Sequence, residues 1–118
     1  MKTKQIKPST TTKHLNGEMV KSGQFKNIRI SIVGKYLGIN KKDKSLLDFE
    51  AADKINFNVR INQTMQWVEF STSFVEIRGH IQDDNIIINE CFSSRGNDFD
   101  FKLWNEFVKL SHRYSNLF

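Results

Sequence analysis

The chain has 118 residues, a net charge of +5 and a pI near 9.4, with 38% apolar residues that include ten Phe and two Trp. That size fits one domain with its own core and leaves no room for a second. A single cysteine excludes an intrachain disulfide and fits a reducing, cytoplasmic setting, and no apolar run approaches the length of a membrane span.

Residues 1–23 hold the only proline, Pro8, the run Ser9-Thr10-Thr11-Thr12, and Gly17 and Gly23, with few apolar residues at either regular spacing. They read as a basic, flexible arm ahead of a single domain over 24–118. Lys2, Lys4, Lys7 and Lys13 lie in this stretch without the apolar core of a secretory signal. Ile28, Ile30 and Ile32 then alternate with Arg29 and Ser31, the period of a strand with one buried face. Gly34 and Gly38 bracket Lys35-Tyr36-Leu37 and suggest a bend or bulge, and Asn40-Lys41-Lys42-Asp43-Lys44 reads as a charged loop.

Ser45, with Asp48 three residues on, can cap a short helix over 46–53, although Leu46, Leu47 and Phe49 also suit a strand. Ile55 to Asn62 is strictly alternating, with Gln63 to Gln66 as the turn into a strand from Trp67 to Phe74. Val68 and Phe70 share one parity and Val75, Ile77 and Ile81 the other, so a bulge or turn is expected at Ser71-Thr72-Ser73. Gln82-Asp83-Asp84-Asn85 is the turn of a hairpin between Val75–Ile81 and Ile86–Phe92. From about Asp100 to Tyr114, the residues Trp104, Phe107, Val108 and Ser111 or Tyr114 recur at helical spacing, widened by Leu103 and Leu110, and predict a helix packed on the sheet. The expected fold is therefore α+β: a mostly antiparallel sheet of about five strands with the C-terminal helix on one face.

No catalytic or cofactor-binding motif is present. The phosphate-loop, dinucleotide and nucleophile-elbow patterns are missing, and His14, His80, His112 and Cys91 never take zinc-ligand spacing. Asp83-Asp84 and Asp98-x-Asp100 read as turn and cap residues rather than a cation site. Cys91, flanked by apolar residues on a strand, reads as a buried inert thiol, and His80 as a surface residue. The chain is read as a non-enzyme without cofactor or metal.

Charge is the more informative feature. Met1 to Lys44 holds eleven Lys or Arg against Glu18 and Asp43, whereas Ser45 to Phe118 holds seven against eleven acids. A basic first third suits a phosphate backbone. Asn56, Asn58, Arg60 and Asn62 form the outward row of the alternating strand and can hydrogen-bond bases or phosphates. Trp67, out of phase with Val68 and Phe70, adds a stacking platform if exposed, or a core residue if the helix covers it. The expected binding residues are thus Lys35, Lys41, Lys42, Lys44, Asn58, Arg60 and Trp67.

In outline the strand run closed by a helix resembles the sheet-plus-helix single-strand binders of the Pur-alpha type, without a motif that ties it to them. Asp98 and Asp100 stand where a double-stranded RNA-binding domain has a Lys-rich helix entry, which argues against that family. The reading favoured is a non-enzymatic nucleic-acid-binding protein, single strands preferred. The alternative is a small protein-binding inhibitor, such as an immunity protein or a phage- or plasmid-encoded antagonist of a nuclease, docking by charge complementarity.

Overall fold

A computed structural model describes residues 12–60 and 72–114. In chain order these form β1 (Lys13–His14), α1 (Gly17–Ser22), β2 (Ile30–Ile39), β3 (Leu46–Ala51), β4 (Asn56–Arg60), β5 (Phe74–Ile81), β6 (Ile87–Ser94) and α2 (Phe101–Arg113). The strands run in the order β1-β2-β3-β4-β6-β5, and β2 also pairs with β5, so five of the six described strands close into a barrel.

The long strand β2 makes this closure. Its first half, from Ile30 to Lys35, pairs antiparallel with β5, and its second half pairs antiparallel with β3 across a bulge between Tyr36 and Gly38. Gly38 takes φ 127° at that bulge, a conformation open to glycine and strained for other residues. At Gly34 the reason for glycine is space. A Cβ there would lie 2.8 Å from Phe57 Cζ and 3.0 Å from Phe49 Cβ, and those two fully buried rings stack with centroids 5.5 Å apart. The inward rows of β2, β3, β4 and β5 supply Ile30, Ile32, Leu47, Val59, Val75 and Ile77 to the same core.

Several expectations are corrected. The sheet is mixed rather than mostly antiparallel with about five strands, because β1 pairs β2 and β4 pairs β6 in parallel. That geometry replaces the Pur-alpha-like outline. The helix expected over 46–53 is strand β3, paired along its length with β4, Phe49 opposite Phe57. Leu46, Leu47, Phe49 and Ala51 are buried there, and a barrel stave buries that pattern more completely than a two-turn helix could.

The boundary drawn at Gly23 also moves. Residues 1–11 lie outside the described residues, but β1 and α1 follow directly, with Leu15 and Val20 completely buried. Asn16 caps α1 by accepting from Met19 N at 3.1 Å, and the Asp53 carboxylate accepts from Gly17 N and Glu18 N at 3.0 and 2.9 Å. This short helix is held by tertiary partners, which is why local composition conceals it.

Cys91 is exposed rather than buried. A register shift between Arg78 and Gly79 leaves Glu90 unpaired on β6, so the inward parity passes from Ile87 and Asn89 to Phe92 and turns Cys91 outward. The hairpin turn at 82–85 is found as expected, closed by Asn85 N donating to Gln82 O at 2.9 Å. Trp67, the turn expected at 63–66 and most of the strand expected from Trp67 to Phe74 lie outside the described residues.

Helix α2 begins where the capping pattern placed it, with Asp100 accepting from Leu103 N at 2.9 Å. It docks by Val108 and Ser111, by Trp104 and Phe107 against His14, and by two polar ties. His112 Nε2 lies 2.7 Å from His14 O, and Asn16 Nδ2 donates to Asn105 Oδ1 at 3.0 Å. Contrary to the single stripe expected, Leu103, Leu110 and Tyr114 are exposed.

Candidate nucleic-acid interface

Pairing across β2, β3 and β4 arranges the outward residues in rows. Lys35 stands opposite Glu50 and Glu50 opposite Asn56; Gly38 stands opposite Asp48 and Asp48 opposite Asn58; Leu46 stands opposite Arg60. The strand members of the expected set, Lys35, Asn58 and Arg60, therefore share one face. Lys41, Lys42 and Lys44 project from the loop joining β2 to β3 at the Arg60 end of that face.

That loop is held by its own side chains. Asn40 Oδ1 accepts from Lys42 N and Asp43 N at 2.9 Å each, and Asp43 Oδ1 accepts from the Ser45 hydroxyl at 2.6 Å and amide at 3.0 Å. Those bonds from Ser45 hold the Asp43 carboxyl below its ordinary pKa. Its lysines are thereby presented outward on a defined turn.

Sequence reasoning missed the carboxylates of this face. Asp48 Oδ1 accepts from Asn58 Nδ2 at 2.6 Å and from Asn40 Nδ2 at 3.0 Å. Arg60 Nη2 lies 3.2 Å from Asp84 Oδ2 on the β5–β6 turn, and its Nη1 lies 3.5 Å from Ser45 Oγ. The alternating pattern marks Asn58 and Arg60, whereas the helix expected over 46–53 conceals Asp48 and local spacing shows Asp84 only as a turn residue. Five cations (Lys35, Lys41, Lys42, Lys44, Arg60) thus stand among four carboxylates (Asp43, Asp48, Glu50, Asp84). The net charge of these groups is therefore close to balanced, at +1.

Beyond Asp84 a polar cleft of about 430 Å3 is lined by Asn27, His80, Gln82, Asp83 and Asp84. His80 Nδ1 lies 3.6 Å from Glu90. Among the described residues no three His, Cys, Asp or Glu side chains gather as a metal site would require.

A second polar centre lies on β5, where it pairs with β2. Glu76 is 1% exposed and accepts from Ser31 Oγ at 2.5 Å, from Arg78 Nε at 3.2 Å and from Arg95. Burial pushes its carboxyl up, yet the three donors together hold it below the ordinary value. Burial lowers the pKa of the neighbouring His14, against the pull of Glu76 and with the help of Arg78, His112 and Arg95. Glu76 is thus satisfied by Ser31, Arg78 and Arg95, while His14 packs against Trp104 and Phe107 of α2.

The sequence model described as Replication factor A protein 3 matches residues 8–118. Among solved structures, that of U. maydis replication protein A bound to ssDNA superposes with a TM-score of 0.77 at 24% identity, covering 91% of this chain and 94% of that one. The S. pombe Stn1–Ten1 complex contains a chain with a TM-score of 0.70 at 10% identity, covering 90% and 96%. A replication protein A heterotrimer bound to ssDNA gives 0.57 at 11% identity, covering 92% and 97%. No curated protein matches the chain.

Proposed function

The chain belongs to the replication factor A protein 3 family, and from that premise we propose that it is a non-enzymatic subunit of a multi-chain assembly on single-stranded DNA. Its closed five-strand ring is of the OB type, in which the second and third barrel strands and the two flanking hairpin loops meet oligonucleotides. Here those parts are β3, β4 and the loops at 40–45 and 82–86. The observation that carries the reading is that Lys35, Lys41, Lys42, Lys44, Asn58 and Arg60 converge on that face. The solved likenesses support it to the extent that replication protein A is described bound to ssDNA. The nuclease-inhibitor alternative gains no support from these likenesses.

The outer side of α2 carries the protein-partner part of the proposal. Leu103, Leu110 and Tyr114 are 66%, 44% and 46% exposed, and they recur at spacings of seven and four, the repeat of a helix–helix seam. Beside them Phe99, Leu103, Trp104 and Phe107 line an apolar hollow of about 240 Å3, where the Trp104 indole N–H has no partner among the described residues. A lone small domain gains nothing from such a stripe; a partner helix would cover it. The heterotrimer and the two-chain complex among the structural likenesses fit that arrangement.

The test of the strand-binding part is fluorescence anisotropy of the purified chain with labelled oligothymidine across a salt series. Binding at low salt should weaken as salt rises, and neutralising Lys41, Lys42 and Lys44 together should reduce the slope of log K against log salt by about 2 to 3. Absence of binding even at low salt refutes it.

A further inference from the structure

We propose that Asp84 is a latch on the nucleic-acid face: in the free chain its carboxylate occupies the Arg60 guanidinium that a strand phosphate would take. The inference rests on the reading that nucleic acid meets this face, and it adds an affinity-setting residue to it.

Both partners are fixed by their own elements. Arg60 ends β4, pinned between Leu46 of β3 and Ile88 of β6. Asp84 sits on the tight turn of the β5–β6 hairpin, where its Oδ1 accepts from Ile86 N at 3.1 Å while its Oδ2 faces Arg60 Nη2 at 3.2 Å. One carboxylate oxygen thus builds the turn and the other reaches across to the cation. Among the described residues the guanidinium otherwise meets only the neutral Ser45 hydroxyl, at 3.5 Å, so Asp84 is its charge partner there. The same face repeats the device at Asn58, whose amide is held at 2.6 Å by Asp48.

The pair is weak enough to yield. Its side chains are 34% and 49% exposed, and water-facing pairs of this kind contribute little. A phosphate offers the guanidinium two acceptor oxygens and releases condensed counterions on binding, so it competes with a single carboxylate oxygen. The carboxylate that is displaced remains close to the incoming phosphate, and like charge then opposes binding. Asp84 therefore lowers affinity twice, by holding Arg60 beforehand and by repelling the ligand afterwards.

The test is a double-mutant cycle on the purified full chain with labelled oligothymidine at low salt, using D84N, R60Q and the pair. Asn at 84 keeps the acceptor that closes the turn, so the barrel is retained, and circular dichroism melts check that it is. D84N should bind about three- to five-fold more tightly than the parent, the range a half-exposed ion pair allows, and the gain should shrink as salt rises. In the R60Q background the same change should give less than half that gain. An unaltered affinity of D84N overturns the latch, and so does an equal gain with and without Arg60, which reports only long-range charge. If none of the variants binds, the strand-binding reading falls and the latch with it; if the parent binds and D84N adds nothing, the latch falls alone.

Discussion

Leu15→Ala tests whether the segment before α1 is part of the domain. Leu15 is completely buried, and its backbone N–H donates to Ser31 O at 2.9 Å, which ties the end of β1 to the barrel wall. Truncating a leucine at such a site costs about 2 to 5 kcal/mol, with the larger values where the surroundings cannot collapse. Leu15 packs within a cluster that includes Val20, Ile30, Ile32 and Phe57, and β-strands locked in a closed ring have little freedom to close a gap. Unfolding entropy of about 2.1 cal/mol/K per residue gives roughly 0.25 kcal/mol/K for 118 residues. The melting temperature should therefore fall by roughly 8 to 20 °C, from the two magnitudes together. Thermal melts followed by far-UV circular dichroism check it, with exposed Lys21→Ala as the comparison, which should move by no more than about 2 °C. A Leu15→Ala melt within a few degrees of the parent would show that β1 and α1 are peripheral and that the core closes without them.

Gly34→Ala should destabilise the barrel by about 1 to 3 kcal/mol through overpacking against Phe49 and Phe57, measured by urea denaturation; an unchanged midpoint would mean those rings shift freely. Leu103→Asp with Leu110→Asp should leave the melting temperature of the isolated chain nearly unchanged and abolish co-purification with the partner chain proposed to cover α2, whereas persistence of the complex would assign the partner to another surface. The His14 ring is half-buried and its pKa lies below the usual 6.5, so below that pH the unfolded chain takes up the proton that the native one refuses. Stability contributed by neutral His14 is full above about pH 6.5 and lost as pH falls toward its depressed native value. Melts between pH 7.5 and 5.5 should show this decline, and His14→Gln should flatten it; a variant whose pH profile follows the parent would place the effect elsewhere. That window lies above the range in which Glu76, itself depressed from an ordinary 4.5, loses its contribution.

Local pattern in the sequence was sufficient where one element's own residues decide the outcome. The alternation of Phe57 and Val59 with Asn58 and Arg60 states which side of β4 faces water, because side-chain direction in a strand has period two whatever its neighbours are. Asp84 and Asn85 specify their turn, and Asp100 its cap, through hydrogen bonds that reach no further than three residues. Hence Lys35, Asn58, Arg60 and the lysine loop could be named as binding candidates before any pairing was known. Pairing itself was decided by tertiary structure. The parallel contact of β4 with β6 joins Val59 to Ile87 across intervening chain, and together with the β2–β5 pairing, rather than any local signal, it completes the barrel. Pairing of β3 with β2 on one side and β4 on the other likewise overrides the helix that the spacing of Leu46, Leu47 and Phe49 permits. Strand pairing also brings Asp48 beside Asn58 and Asp84 beside Arg60, so the carboxylates that restrain the candidate face come from other strands and turns. In α2 the apolar period marks two sides at once, and only docking against His14 and Asn16 shows that Val108 and Ser111 face the barrel while Leu103 and Leu110 face out. Periodicity is a property of one element; the choice of which face is covered is a property of its neighbours.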